Sequence, residues 1–237
     1  MRKLIATTLL SLTFATQANT DTQEPSSFEQ CLMDLKPFVI HYDLSAGFID
    51  VTSEHKLQLR NGIWNYRSYA DGGILGKAIE ESDFILDGHF KLQQYNSYRR
   101  VAFNKKKRYV AMNWGELSFS TSNNAKGKFQ ADDFIFDKAS QQLAIQCKIR
   151  NGEDNFTLKL ATRSGLDTYD YKVISHNDEI KTDMGTFKSV KVEQMRDDDR
   201  QVYFWLAPEL DYFPIKFVYQ EKGDDSIVAS IKNFRYL

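Results

Sequence analysis

The chain has 237 residues and a formal net charge of −1, because 31 Lys and Arg nearly balance 32 Asp and Glu. This balance gives no support to binding of nucleic acid or acidic lipid, and we expect no nucleic acid partner. With only 4 Pro and 12 Gly, the sequence is neither of low complexity nor disordered. Its aromatic content of 14% suits the half-buried surfaces of β-sheets.

The N-terminal residues have the pattern of a secretory signal peptide. Arg2 and Lys3 precede an apolar stretch at residues 4–14 (LIATTLLSLTF), and small residues offer a cleavage site after Ala18. We therefore expect residues 1–18 to direct export to the bacterial periplasm, with secretion beyond the cell as an alternative. An uncleaved N-terminal anchor is the competing interpretation. No other stretch is long and apolar enough to span a bilayer, so we expect a mature chain without a transmembrane segment.

Residues 19–36 form a polar lead-in, in which a short helical turn is expected around residues 28–35. This segment holds Cys31, and the other cysteine of the chain is Cys147. In an oxidising compartment, a lone pair of cysteines predicts a disulfide, and two buried free thiols are the alternative. A catalytic dithiol is not expected, because the two residues do not form a Cys-x-x-Cys motif.

From residue 37 onward, the apolar residues recur mostly with the period of two that is typical of β-strands. Asn61 and Gly62 predict a tight hairpin turn, because both central positions of such a turn need a positive φ. We interpret the lysines at 105–107 as a solvated turn between two short strands rather than as a binding patch.

One segment departs from this period. Helix-forming residues at 141–146 follow Asp137, a good N-cap, and Gly152 can close the helix, so a helix is predicted over residues 137–150. Short strands punctuated by turns fill the rest of the chain. We therefore predict one all-β domain over residues 37–237. It is a curved antiparallel sheet that forms a half-open or closed barrel, with one packed helix.

Three short motifs in the second half carry a resemblance to a known family. They are residues 183–192 (DMGTFKSVKV), 200–209 (RQVYFWLAPE) and 213–216 (FPIK). In this pattern, the chain resembles the exported bacterial family catalogued as domain of unknown function 3108, over about residues 37–235. The resemblance implies export and a β-rich fold. It implies no reaction, so no catalytic residue is carried over, and the two cysteines are not part of the pattern.

The sequence predicts no catalytic residue, metal site or cofactor. Its four histidines lie outside metal-ligand spacing of one another, and it contains no Gly-x-Ser-x-Gly motif. Neighbouring acids at 80–83 and 132–133 could supply the paired carboxylates of a glycoside hydrolase, although acids in surface loops are more often simply solvated. The acidic stretch at 197–199 lacks the glycine and the distal glutamate of an EF-hand loop. We therefore favour a protein that is not an enzyme.

The aromatic content motivates the functional hypotheses. A curved sheet closed by a helix can enclose an apolar cavity, and a lipid or another amphiphile is the natural guest in the periplasm. The first hypothesis is a non-enzymatic periplasmic binding or carrier module for such a ligand, although the same side chains could simply fill a barrel interior. The alternative is a structural or assembly partner of another cell-envelope protein, and the third is an envelope glycan hydrolase. The predicted ligand contacts are Trp64, Tyr66, Phe90, Phe119, Tyr169 and Trp205.

Overall fold

A computed structural model describes the chain at residues 26–47, 49–74, 76–196, 198–223 and 225–237. The predicted signal peptide lies outside these residues. The described chain forms helices α1 (Ser27–Met33) and α2 (Gln141–Arg150), and a short 3-10 helix at Pro208–Leu210. The strands are β1 (Phe38–Ala46), β2 (Ile49–Arg60), β3 (Ile63–Asp71), β4 (Gly76–Leu86), β5 (Phe90–Val101), β6 (Asn104–Asn113), β7 (Ser118–Thr121), β8 (Lys126–Lys128), β9 (Ile135–Asp137), β10 (Asn155–Thr162), β11 (Gly165–Thr182), β12 (Gly185–Gln194), β13 (Arg200–Ala207), β14 (Phe213–Glu221) and β15 (Ile227–Tyr236).

All of these strands belong to one sheet, in the order β8-β7-β6-β5-β4-β3-β2-β1-β15-β14-β13-β12-β11-β10-β9. Neighbouring strands are antiparallel, apart from β9 and β10, which run parallel. Strand β1 pairs with β15, from Phe38 opposite Tyr236 to Ala46 opposite Ile227. The first and last strands therefore meet in the middle of the sheet, and most other neighbours are consecutive hairpins.

The sheet curls into a barrel-like shape but does not close. Its end strands β8 and β9 do not pair with each other within the described chain, and β9 packs against β5 instead. There the rings of Phe136 and Phe90 have centroids 4.4 Å apart. At the end of β7, the Thr121 hydroxyl donates to the carbonyl of Arg163, between β10 and β11, at 2.9 Å. The predicted fold class is confirmed in its half-open form.

The predicted hairpin at Asn61 and Gly62 is confirmed. These residues have φ angles of 50° and 79°, and Arg60 lies opposite Ile63 in the pair that they connect. Asparagine tolerates the left-handed region and glycine enters it without steric cost, so the local sequence is sufficient to specify this turn.

The lysines at 105–107 do not form a turn, and that prediction was wrong. They lie within β6, and the turn is the two-residue connection Ala102-Phe103, with Val101 opposite Asn104. Ala102 has a φ of 50°. A run of charge favours solvent, but here the strand itself is open to solvent, since all residues from 101 to 109 are exposed. The run of lysines therefore indicates a strand that is exposed to solvent, and it does not mark a turn.

The predicted helix is confirmed, but it starts later than expected. Helix α2 begins at Gln141 after Ser140, and Asp137 is the last residue of β9 rather than the N-cap. The Asp137 carboxylate accepts the backbone N–H groups of Ala139 and Ser140 at 2.7 and 3.0 Å. An aspartate can accept hydrogen bonds from the backbone of the turn before a helix, as it can at an N-cap. Residue type alone does not distinguish these two positions, so the helix start was predicted too early.

The core lies between α2 and the concave face of the sheet. Six of the ten residues of α2 are buried. Each half of the helix also has a polar tether: the Tyr171 hydroxyl of β11 donates to Gln141 Oε1 at 2.8 Å, and Gln146 Nε2 donates to the Asp211 carbonyl at 2.7 Å. Helix α2 is therefore held both to β11 and to the connection between β13 and β14. Neither described α-helix has the length and apolar character needed to cross a membrane.

A second helix, α1, forms where the helical turn was expected, and it is fastened to α2. Cys31 and Cys147 form a disulfide with their Cα atoms 5.7 Å apart, which confirms the predicted bridge. Leu32 is fully buried, and the ring of Phe28 lies edge-on to that of Phe134 at 5.4 Å. The fold therefore contains two packed helices and not the single helix that was predicted.

Candidate ligand-binding face

Three of the six predicted ligand contacts lie together in the core. Trp64 and Tyr66 of β3 share a face with Phe84 of β4, and Phe84 leads on to Phe90 of β5. The ring centroids of Trp64 and Phe84 are 6.4 Å apart, and those of Phe84 and Phe90 are 4.6 Å apart. We name these four residues the aromatic floor. Each is buried against its neighbours, as a filled interior would require, and a ligand contact by them stays a prediction.

Phe119 and Tyr169 lie apart from the aromatic floor. Phe119 of β7 covers Gly127 so closely that a Cβ atom on Gly127 would meet its ring at 2.6 Å. Its ring also reaches Gly165 across the unclosed side of the barrel. Tyr169 of β11 lies under the guanidinium of Arg196, 5.1 Å from the ring centroid. Both residues thus have packing roles of their own.

Trp205 lies on the opposite face of its strand from Phe204, and both side chains are buried. Its indole ring contacts the ammonium groups of Lys191 and Lys216, at 4.8 and 4.9 Å from the ring centroid. The indole N–H donates to Asp178 Oδ2 at 2.9 Å. The face of the indole thus has two cation–π partners, and its N–H has a hydrogen-bond acceptor. The structure therefore brings together only Trp64, Tyr66 and Phe90 of the predicted set.

Beside the aromatic floor, the concave face carries a group of polar side chains centred on His55. Its Nδ1 lies 2.6 Å from the Tyr66 hydroxyl, and its Nε2 lies 3.3 Å from the Ser68 hydroxyl. Burial lowers the pKa of His55 to about 4, because a charged imidazolium would lose its hydration there. His55 is therefore a neutral hydrogen-bonding group at neutral pH.

Glu80 lies in the same cross-strand row as His55 and Ser68. Burial by itself would raise the pKa of Glu80, but the nearby charge of Lys138 and hydrogen bonds from Lys138 and Tyr95 outweigh it and lower the pKa. The Lys138 ammonium lies 2.9 Å from Glu80 Oε1, and the Tyr95 hydroxyl donates to the same oxygen at 3.2 Å. The polar group thus holds a carboxylate that already has partners.

Asp137 is a second acid on this side of the sheet, and it is fully buried. Burial raises its pKa to about 6, even though it accepts hydrogen bonds from the Ser82 hydroxyl and from two backbone N–H groups. These partners join β4 to the turn that begins α2. Because the carboxyl group has no exposure and its partners are all structural, Asp137 serves the fold rather than a reaction.

A continuous row of apolar side chains crosses the concave face, separated from this polar group by Tyr42 and Ser53. Leu44 lies opposite both Val51 and Ala229, and the cross-strand partners continue to β11. Directly opposite residues in adjacent strands share a face of the sheet, and Phe204 and Val192 of this row belong to the core. We name this set the apolar row: Val51, Leu44, Ala229, Phe217, Phe204, Val192 and Val173.

The apolar row is only partly covered. Ala229, Phe204 and Val192 are buried, whereas Val51, Leu44, Phe217 and Val173 retain intermediate exposure. Apolar side chains that face the inside of a half-open barrel and still reach solvent are what a hydrocarbon ligand would cover. This row, together with the polar group at His55 and Glu80, is the candidate ligand-binding face.

The acids considered for a hydrolase do not form a catalytic pair. Glu81 points to the opposite face from Glu80 and pairs with Arg67 at 3.0 Å, while Asp83 accepts a hydrogen bond from Asn65. Asp133 forms an ion pair with Lys159, and Asp197 of the acidic stretch lies outside the described residues. A glycosidase needs two carboxyl groups facing each other across a cleft, whereas four of these acids face their own partners and the fifth, Asp132, is exposed to solvent.

The described histidines lie beside different partners. His41 is 3.5 Å from Glu54, His89 is 3.9 Å from Glu29, and His176 is 3.3 Å from Asp154. Among the residues that the structure describes, no group of three or more His, Cys, Asp or Glu side chains is placed to hold a metal ion.

A shallow depression of about 540 Å³ lies on the outer face of β2, β3 and β4. Apart from Ile63, its lining is charged and polar and includes Lys56, Arg67 and Glu81. Because an apolar ligand would have to desolvate these charges, the depression does not suit the predicted ligand class. We therefore place the candidate site on the concave face.

Sequence reasoning did not find the apolar row. Alternation within β1 and β2 indicates that Leu44 and Val51 each share a face with buried neighbours, and this signal was present. The row becomes visible only when β1 is paired with β15, which lies at the other end of the chain. No local pattern specifies that pairing.

Comparisons with known proteins support the family and the fold. The sequence matches the model of the family described as protein of unknown function (DUF3108) over residues 39–232. No curated protein is significantly similar to it in sequence. A beta-barrel-like protein of DUF1849 from Brucella abortus has a TM-score of 0.51 at 11% identity, over 86% of this chain and 98% of that one. This similarity shows the fold alone.

Two other solved structures are less similar. The MucA/MucB complex of Pseudomonas aeruginosa has a TM-score of 0.33 at 12% identity, over 89% of this chain and 54% of that one. A DUF1089 family protein of Pseudomonas aeruginosa has a TM-score of 0.32 at 11% identity, over 72% and 89%. These scores are too low to carry an argument. The family model covers most of the sequence, including the three motifs of the second half, and the chain therefore belongs to the DUF3108 family.

Proposed function

We propose that the protein is a non-enzymatic module of the bacterial cell envelope that binds an apolar or amphiphilic ligand on its concave face. The observation that carries the proposal is the apolar row, whose side chains share one face and in part remain exposed. The envelope location rests on the predicted signal peptide at residues 1–18. We propose no reaction, since Glu80, Glu81 and Asp133, which were considered for a hydrolase, each pair with a cation of their own.

The geometry of the row suits an extended hydrocarbon chain. Neighbouring strands lie about 4.8 Å apart, so a row that crosses from β2 to β11 offers a long apolar track. Each 100 Å² of apolar surface that a ligand removes from water contributes about 2.5 kcal/mol. The polar side chains of His55, Ser68 and Glu80 lie beyond Ser53 from the β2 end of the track, where the head group of an amphiphile could donate and accept hydrogen bonds.

Native mass spectrometry of the protein purified from periplasm without detergent tests the proposal. We expect a stoichiometric adduct of lipid size, which organic extraction would then assign to a chemical class. A bare protein mass that stays unchanged after incubation with palmitate and with lysophosphatidylethanolamine would contradict the proposal. The assembly-partner hypothesis would then take its place, and crosslinking in intact cells would test it.

A matched pair of variants tests whether the apolar row binds the ligand. Leu44→Asn places an amide in the row, whereas Val228→Asn changes a half-buried residue on the opposite face of the neighbouring strand. Burying a Leu side chain contributes about 1.5–3 kcal/mol, so we expect Leu44→Asn to weaken binding about tenfold or more. Titration with a fluorescent fatty acid would measure the dissociation constants. Equal weakening by both variants would show that the row is not the binding track.

A further inference from the structure

Two neighbouring hairpin tips at one end of the sheet expose bulky apolar side chains. Ile74, in the turn between β3 and β4, is 90% exposed, and Phe103, in the turn between β5 and β6, is fully exposed. Gly76 lies opposite Val101, and the guanidinium of Arg100 donates to the carbonyl of Gly73 at 2.7 Å. The two turns are therefore fixed side by side. We name Ile74, Val101 and Phe103 the apolar tips.

Single exposed apolar residues are common on soluble proteins, but these three lie on adjacent strand ends. A turn needs neither isoleucine nor phenylalanine, since small and polar residues fill such positions at lower cost in exposed apolar surface. Val101, at the end of β5, is itself 42% exposed. The apolar tips thus form one local surface that nothing in the described chain covers.

Cations surround the apolar tips on β5 and β6. Six of the ten residues from 99 to 108 are Arg or Lys, and none is acidic. In the hairpin, Arg99 lies directly opposite Lys106, and Arg100 lies directly opposite Lys105. Like charges at directly opposite positions destabilise a pair of strands. We name the six residues the cationic hairpin: Arg99, Arg100, Lys105, Lys106, Lys107 and Arg108.

Within the described ranges, no residue of the cationic hairpin forms an ion pair. By contrast, Lys77 near the same turn pairs with Asp71 at 3.5 Å. The net charge of the chain is only −1, so the positive charge of the hairpin is a local feature that the total conceals. A repulsive arrangement of cations without acidic partners suits an external anionic surface.

We propose that the apolar tips and the cationic hairpin together form a docking surface for a bilayer that contains anionic phospholipid. Phosphate head groups would neutralise the cations, and each neutralised cation would raise the affinity roughly fivefold. The tips would enter the boundary between head groups and acyl chains. Single-stranded nucleic acid would also meet the cations, but successive bases stack on several aromatic faces, and of the three apolar tips only Phe103 offers one. The proposal does not depend on ligand binding by the concave face.

Cosedimentation of the purified protein with vesicles tests the docking. We expect binding to vesicles of phosphatidylethanolamine with 30% phosphatidylglycerol, little binding to phosphatidylcholine vesicles, and weakening as salt rises. The variant Lys105→Gln/Lys106→Gln should bind the anionic vesicles more than tenfold more weakly. Its control is Lys126→Gln/Lys222→Gln, which removes two exposed lysines outside the hairpin and should bind like the wild type.

A second pair of variants tests the apolar tips. Ile74→Ser/Phe103→Ser should weaken vesicle binding about tenfold, because two apolar side chains no longer enter the bilayer. The control Leu59→Ser/Ile63→Ser removes two exposed apolar residues at the opposite ends of β2 and β3, and should leave binding unchanged. Circular dichroism and thermal unfolding would show that all variants keep the fold.

Several outcomes would overturn the proposal. They are equal binding to anionic and neutral vesicles, no binding to either, or variants of the hairpin and tips that bind as the wild type does. Tighter binding to single-stranded DNA than to anionic vesicles at equal phosphate concentration would assign the surface to a different partner. If the protein binds the fluorescent fatty acid but not the anionic vesicles, the result contradicts this proposal alone, and the proposed function of the concave face is retained.

Discussion

Reduction of the Cys31–Cys147 disulfide is expected to lower the free energy of unfolding by about 4 kcal/mol. The two cysteines are 116 positions apart in sequence, so the bridge closes a loop that contains β1 to β9. In the chain-entropy model, a cross-link that closes about a hundred residues restricts the unfolded chain by about 4.7 kcal/mol, and strain in the folded state reduces this value. The effect is large compared with the total stability of a typical domain.

The folded-state role of the bridge is local. Helix α1 has only seven residues, too few for stability on its own, and it is held to the core by Phe28, Leu32 and the disulfide. The Lys148 ammonium also lies over the ring of Phe28, 4.2 Å from its centroid. Without the disulfide, α1 should open more often than the rest of the fold, and hydrogen exchange should become faster in its backbone amides first.

Urea unfolding of the oxidised and the reduced protein measures the effect. The control is the double variant Cys31→Ser/Cys147→Ser, whose midpoint should match that of the reduced wild type and should not respond to reductant. Thiol labelling of the unreduced, denatured wild type should detect no reactive thiol. An unchanged midpoint after complete reduction would show that the bridge contributes little, and two labelled thiols would show that it is not formed.

Local patterns were sufficient to predict the strands and several of their connections. The pair Asn61-Gly62 specifies its hairpin because the backbone angles needed there are set by residue type. The disulfide was predictable because the chain has only two cysteines and its N-terminal sequence has the pattern of an export signal. Turn residues fix the backbone angles of only a few neighbouring positions, so the local sequence is enough to predict such turns.

Features that depend on tertiary pairing could not be predicted. The pairing of β1 with β15 and the parallel contact of β9 with β10 join distant segments, and alternation along one strand is equally compatible with other partners. Trp205 lies on the opposite face of β13 from Phe204 of the apolar row, and the pairing of β13 with β14 has a register shift between Trp205 and Leu206. Such a bulge changes which residues share a face, and no residue type marks it.

Some residues of the candidate site could likewise be predicted from local patterns, and others required the tertiary pairing. Trp64, Tyr66 and Phe90 could be selected as inward-facing aromatics from alternation alone. The apolar row required the strand order, and the apolar tips required the correct turn. Had the turn been placed at Ala102-Phe103 and not at the lysines, Phe103 would have been recognised as an exposed tip flanked by cations.

Replacing His55 or Asp137 should reveal two opposite pH dependences of stability that cancel in the wild type. Burial lowers the pKa of His55 from 6.5 in the unfolded chain to about 4. Between these values the unfolded chain binds a proton that the folded protein does not. The contribution of His55 is therefore fully present above pH 6.5 and is lost as the pH falls towards 4.

Asp137 has the opposite sign. Burial raises its pKa from 3.8 in the unfolded chain to about 6, so between these values the folded protein keeps a proton that the unfolded chain has released. Its contribution is present at low pH and is lost as the pH rises through 6. Each shift exceeds two pKa units, which corresponds to about 3 kcal/mol, and the two windows overlap between pH 4 and 6. In the wild type, the two slopes should largely offset each other.

Unfolding by urea at several pH values between 4 and 7 separates the two groups. His55→Gln keeps a polar partner for the Tyr66 hydroxyl and should lose about 3 kcal/mol of stability relative to the wild type as the pH rises from 4 to 6.5. Asp137→Asn should gain a similar amount relative to the wild type over the same range, whatever constant cost its altered hydrogen bonds impose. The slope with pH is therefore the readout, and the absolute stability of each variant is not.

The double variant His55→Gln/Asp137→Asn provides the control, because removal of both groups should restore a pH profile close to that of the wild type. A single variant whose profile runs parallel to the wild type would show that its group is not shifted by burial. Two single variants with slopes of the same sign would contradict the assignment altogether. Opposite slopes would establish that the concave face encloses a neutral histidine and a proton-retaining carboxyl group. An amphiphile that covered this face would then meet the neutral His55 without having to desolvate a charge on it, whereas the fully buried Asp137 loses its proton as the pH rises through 6.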